Sequence, residues 1–138
     1  MSRKTDRQHA FCMIFGLGFR DAAEFDAADD LTYYLENFAE TGAGEEDFIL
    51  REIQGVYDNL DTIDKHIGET AESWEITRIA KADMAIMRLA VYEILHADDI
   101  AASVSINEAV ELAKEFSTEE SGKFVNGVLG KIVRKLDE

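Results

Sequence analysis

Proline is absent from these 138 residues, so nothing in the chain forces a break inside a helix. A single cysteine, Cys12, excludes an internal disulfide framework and fits a reducing compartment. No apolar run approaches the ~18 residues of a membrane span, and the opening MSRKTDRQH has no apolar signal core, so a cytoplasmic protein is expected. The signatures of catalysis are missing too. There is no HExxH, CxxC, GxSxG, Walker loop or GxGxxG, and His9, His66 and His96 are dispersed. Gly16-Leu17-Gly18 is followed by Phe19 and lies inside a helical pattern. Cys12 reads as a small buried hydrophobe rather than a nucleophile. Neither an enzyme nor a resident metal or cofactor is expected.

Lysine and arginine are also missing from residues 21–50, which hold ten acidic side chains. Residues 1–20 instead carry Arg3, Lys4, Arg7 and Arg20 against Asp6 alone, and residues 121–136 carry Lys123, Lys131, Arg134 and Lys135 with no acid. Thus two basic ends bracket an acidic middle within a net charge of −15. If those ends meet in space, they form a small cationic patch on a body that otherwise repels nucleic acid. If they do not, they are solvated helix faces.

Apolar residues make up 46% and charged residues 31%, the balance of a globular domain able to bury roughly two-thirds of its unfolded surface. The apolar spacing is helical throughout. A first helix runs from about Thr5 to Phe19 with Phe11, Ile14, Phe15 and Gly18 on one stripe. A second starts near Asp26, a cap, and carries Leu31, Tyr34, Leu35 and Phe38. Thr41-Gly42-Ala43-Gly44 forms the clearest loop. A third helix from about Glu46 to Ile67 presents one seam, Ile49, Ile53, Val56, Leu60, Ile63 and Ile67, and Gly68 is placed to stop it. Asp58, Asp61 and Asp64 fall on another face, which reads as solvated because a calcium loop needs a glycine turn and dense oxygen ligands.

A short helical turn is expected around Trp74. After it, a helix from about Ala82 to Ala97 is apolar almost all round and belongs at the centre, with Arg88 neutralised by a nearby carboxylate. Ser105 and Glu108, then Ser117 and Glu120, have the spacing of capping boxes that open two further helices. On the last, Val125, Val128, Leu129, Ile132, Val133 and Leu136 face inward. Gly127 and Gly130 each cost about 1 kcal/mol there relative to alanine, which close helix–helix approach would offset. Phe124, after the small and cationic Ser121-Gly122-Lys123, has two readings. It packs inward with Val128, or it stands out and stacks on an unpaired base.

Trp74, Arg78, Asp83, then IMRLAVYE, SINEAVELAKEF and KFVNGVLGKI follow in an order that resembles the NusB family of bacterial antitermination factors. The opening SRKTDRQHAFCMIF is similar to that family's arginine-containing first helix. The resemblance implies an all-α single domain over residues 1–138, with about seven helices in two packed bundles. It also implies binding of boxA-type single-stranded RNA together with ribosomal protein S10 (NusE), within an RNA polymerase complex that resists termination on ribosomal RNA operons.

Carried onto this sequence, the RNA-binding set is Arg3, Lys4, Arg7, Glu120, Lys123 and Phe124, and the protein-partner set is Phe15 and Asp83. Three positions depart from the family pattern. Asp6 stands amid the basic cluster and should weaken phosphate binding. Phe15 lacks the hydroxyl of the usual tyrosine, and Ala101 stands where proline is common. The competing reading is a protein-only helical scaffold or self-associating interaction module that has kept the fold but lost RNA binding, and a homodimer is a further partner to test for.

Overall fold

The computed structural model describes residues 2–17, 25–39, 41–71 and 79–138, with the backbone alone at Leu17. These residues form seven helices: α1 Arg3–Leu17, α2 Ala27–Asn37, α3 Glu46–Asp58, α4 Leu60–Thr70, α5 Lys81–His96, α6 Ala102–Phe116 and α7 Glu119–Leu136. The expected turn around Trp74, the position of Arg78, and the assignments to Gly18, Phe19 and Arg20 lie outside the described residues. No described helix is long and apolar enough to cross a membrane.

The helices gather into two bundles that share α5. In the first, α3 packs against α1 and α2; in the second, α5, α6 and α7 run up, down and up with α4 laid against α5 and α7. Both α1 and α3 also pack on α5, which joins the bundles. Its composition explains the central place: Met84, Ala85, Ile86, Met87, Leu89, Ala90 and Val91 are all buried. A helix without a polar face needs neighbours all round. Its one mid-helix cation is matched as expected, because Arg88 donates Nε and Nη2 to the two Asp64 oxygens at 2.8 and 2.9 Å. Asp64 therefore leaves the solvated acidic face to which its spacing assigned it.

The third helix divides in two. The seam is buried as its period requires, with Ile49, Ile53, Val56, Ile63 and Ile67 all inaccessible. However, Asn59 interrupts it: the Nδ2 group donates to the Gly55 carbonyl at 2.8 Å, and the Asn59 amide is shared between Gly55 and Val56. An asparagine that satisfies backbone groups locally competes with the helical ladder. Gly68 stops nothing, since α4 runs on to Thr70.

Caps differ in the same way. Asp26 caps α2 as expected, accepting from the Asp29 amide at 3.0 Å. α6 starts a turn before Ser105, with Ala101 as its N-cap, and Ser105 instead gives its hydroxyl to Glu93 at 2.7 Å. Thr118, not Ser117, caps α7, accepting from the Ser121 amide at 2.9 Å.

The inward face of α7 holds at Val125, Val128, Leu129 and Ile132, but Leu136 is exposed because the last turn finds no cover. Phe38, assigned to the stripe of α2, is likewise exposed. Gly127 and Gly130 mark no close helix approach. A Cβ at Gly127 meets open space, and one at Gly130 touches only the Arg134 guanidinium at 3.4 Å. The close approach is at Gly55, where a Cβ would collide with the Tyr92 ring.

Candidate nucleic-acid and partner interface

The start of α7 is built by hydroxyls. Thr118 holds the Ser121 amide, and the Ser121 hydroxyl donates to Asp83 Oδ2 at 3.0 Å, tying the first turn of α7 to the first turn of α5. Gly122 is buried against α6, where a Cβ would sit 3.1 Å from Lys114 Cγ. This anchored turn delivers Lys123 and Phe124. Lys123 is exposed and only loosely paired with exposed Glu120 at 3.5 Å. Phe124 is half-buried and packed against the core, so it fits neither reading fully: it is seated yet keeps an accessible part.

Around the other end of the site, α1 presents Arg3 and Lys4 to solvent. The Arg3 guanidinium lies 3.9 Å over the Phe48 ring, with Glu45 at 3.4 Å. Arg7, grouped with them by sequence, is corrected. It is 5% exposed and turned inward, donating Nε and Nη2 to Glu93 at 3.0 and 3.3 Å, so no phosphate reaches it here. Arg7 lies one turn below Arg3 on the same face of α1, deep enough that Glu93 of α5 covers it, whereas Arg3 stays at the open end of the helix. Asp6 is corrected as well. It is buried rather than set among the cations, and its two oxygens accept from the Gly44 and Glu45 amides at 2.7 and 3.0 Å. His9, also buried, meets the Tyr34 hydroxyl at 2.9 Å through Nδ1 and so links α1 to α2.

The two basic ends do not pool their charges around one ring. α1 packs on α3 and α5, whereas α7 packs on α6, α5 and α4. Arg7 meets α5 at Glu93 and Ser121 meets it at Asp83, ten residues or about 15 Å away along the axis. The link between them is aromatic. Phe15, 37% exposed, leans on Phe11 with ring centres 6.2 Å apart, and Phe11 packs 5.2 Å from Phe116 at the end of α6. α7 begins three residues later. Of the two residues assigned to a protein partner, Phe15 therefore stands at the surface, while Asp83 is 6% exposed and spends one oxygen on Ser121.

Beneath the site lies a buried polar network that spacing gave little sign of. Glu93 accepts from Arg7 and from Ser105, and Glu52 of α3 lies beside it, fully buried. Burial first, then the neighbouring Glu93 carboxylate, push Glu52 up to about 10. Burial also pushes Glu93 up, but its polar neighbours Glu52, Arg7 and Ser105, with the Arg7 charge, outweigh it and hold Glu93 below its ordinary value. Glu52 acts on Glu93 by proximity, as neither of its oxygens has hydrogen-bond geometry to a described group. One proton and one arginine thus balance two carboxyls.

Among the described residues no group of three or more His, Cys, Asp or Glu could hold a metal. Burial raises the Cys12 thiol against a smaller opposing effect of Tyr34, which leaves it less nucleophilic than a free thiol.

The sequence model of the NusB family matches residues 4–134. Transcription antitermination protein NusB of Acetivibrio thermocellus is 42% identical over 135 residues, which covers 97% of this chain and 90% of that protein. The protein of the same name from Carboxydothermus hydrogenoformans is 40% identical over 141 residues, covering 100% of this chain and 96% of that one. Among solved structures, T. maritima NusB is 36% identical with a TM-score of 0.82, over 97% of this chain and 92% of that one. A chain from a structure described as a plectonemic RNA supercoil is 21% identical with a TM-score of 0.84, and shows the same fold.

Proposed function

The chain belongs to the NusB family of transcription antitermination proteins, and on that premise we propose that it binds boxA-type single-stranded RNA jointly with ribosomal protein S10 in the cytoplasm. The observation that carries this reading is the anchored first turn of α7, which presents an exposed Lys123 beside a seated but accessible Phe124 ring. A seated ring that stays partly accessible is suited to stack on an unpaired base, worth roughly 1–3 kcal/mol. Lys123 neutralises a phosphate there, and Arg3 and Lys4, at the start of α1, take the strand further along. Glu120 limits how tightly Lys123 grips.

Protein contact falls first on Phe15, with Phe116 beside it through Phe11. Asp83 acts mainly by holding the start of α7 and reaches a partner only at its edge. The acidic middle of the chain steers a basic ribosomal protein towards this surface. The assembled complex then serves an RNA polymerase that resists termination on ribosomal RNA operons.

The test is a titration of labelled boxA RNA, with and without S10, at about 50 and about 200 mM salt. With three exposed cations on phosphates, log K should fall with log salt at a slope near −2. Phe124→Ala should weaken RNA binding by roughly 1–3 kcal/mol while helical content is kept. Absence of RNA binding in both arms would sink the reading and leave a protein-only or self-associating module. Loss of helix packing in Phe124→Ala, with RNA affinity per folded molecule unchanged, would make Phe124 a core residue alone.

A further inference from the structure

α1 and α2 border a concavity of about 600 Å³ on another flank of α1 from Phe15. Met13, Gly16, Phe25, Asp29, Tyr33 and Phe38 are among the residues that line it. Tyr33 is 60% exposed and Phe38 68%, with ring centres 5.7 Å apart. Two large aromatics side by side in solvent are the kind of anchor pair that dominates protein interfaces. Gly16 adds an independent sign. It sits inside α1, where glycine costs about 1 kcal/mol relative to alanine, yet a Cβ there meets nothing within 4 Å. The described fold has no steric need for it, and the position faces open space beside the groove.

Charge selects the occupant. Residues 21–50 contain ten acids and no lysine or arginine, so the α2 side repels nucleic acid and attracts cations. We propose that this groove docks a basic protein segment, which lays an aromatic or long aliphatic side chain in the groove against the Tyr33 and Phe38 rings and sets lysines or arginines against Asp29 and its acidic neighbours. The site is separate from the RNA and S10 surface and does not depend on that reading.

The probe is a short labelled peptide with one tryptophan flanked by lysines, compared with its glutamate-flanked counterpart on the full chain. Binding of the lysine peptide should shift NMR signals at Met13, Tyr33 and Phe38. Gly16→Leu, which fills the groove from α1, and Phe38→Ala, a surface change, should each weaken it about tenfold or more without altering RNA affinity. Equal affinity for the glutamate peptide would overturn the proposal, as would shifts spread over the acidic surface outside the groove. So would unchanged affinity in Phe38→Ala. Concentration-dependent dimerisation that Phe38→Ala abolishes would give the groove to a second copy of the chain instead.

Discussion

Arg7 of α1 and Glu93 of α5 form a two-point ion pair at 3.0 and 3.3 Å, buried in the seam where the two bundles meet. The residue that looks like the centre of a basic RNA-binding tract is thereby a structural clamp. Arg7→Ala would leave the Glu93 charge without its cation, which for a buried pair costs about 3–5 kcal/mol. Arg3→Ala, at an exposed site, should stay within about 0.5 kcal/mol of the parent. Urea unfolding of the two variants separates the roles, and equal small effects would return Arg7 to the surface set.

The Glu52–Glu93 pair makes stability depend on pH in a definite direction. Glu52 is raised from 4.5 to about 10, so between those values the folded state holds a proton that the unfolded state has released. Stability from this group is complete below pH 4.5 and is lost as pH rises towards 10, with a limiting slope of ~1.4 kcal/mol per pH unit. Glu93, lowered, works oppositely, and its contribution is lost as pH falls below 4.5. Glu52→Gln should flatten the alkaline limb and melt higher than the parent at about pH 9. Parallel melting curves for the two proteins from about pH 6 to 9 would refute the proton on Glu52.

Glycine has opposite meanings at Gly55 and Gly127. A Cβ at Gly55 runs into the rigid Tyr92 ring, so Gly55→Ala should destabilise by about 1–3 kcal/mol despite the better helix former. The cost should shrink in a Tyr92→Leu background. At Gly127, with open space around it, alanine should stabilise by about 1 kcal/mol. Thermal unfolding of the single and double variants checks both signs.

Ala101, at the N-cap of α6, has φ of −66°, already the value a proline ring imposes. Its amide donates no hydrogen bond to a described residue, whereas its carbonyl accepts from Val104 and Ser105. Ala101→Pro should therefore stabilise by about 0.4–1 kcal/mol, through a less flexible unfolded chain. A lower melting temperature would show that the turn needs a conformation proline cannot take.

Several errors of the sequence reading share one cause. Helical periodicity located the seam of α3 and α4 and the core of α5, because burial of an apolar stripe is a local pattern. It missed the break at Asn59, where one side chain outcompeted the helix ladder, and it placed Ser105 at a cap when Glu93 had claimed its hydroxyl. The open ring of Phe124 was half legible: the spacing put it near the inward face, and only packing decided how much of the ring stayed out.

The chain by itself determined that it would be helical, with an apolar helix at its centre and a charge-segregated surface, since proline, cysteine and period are properties of neighbours along the backbone. Only the tertiary structure decided which charges are free. Arg7, Asp6 and Glu52 are indistinguishable from solvated residues in one dimension, and become buried, paired or protonated when α1, α3 and α5 converge. Desolvation and pairing depend on distances between helices, which no spacing along a single helix records.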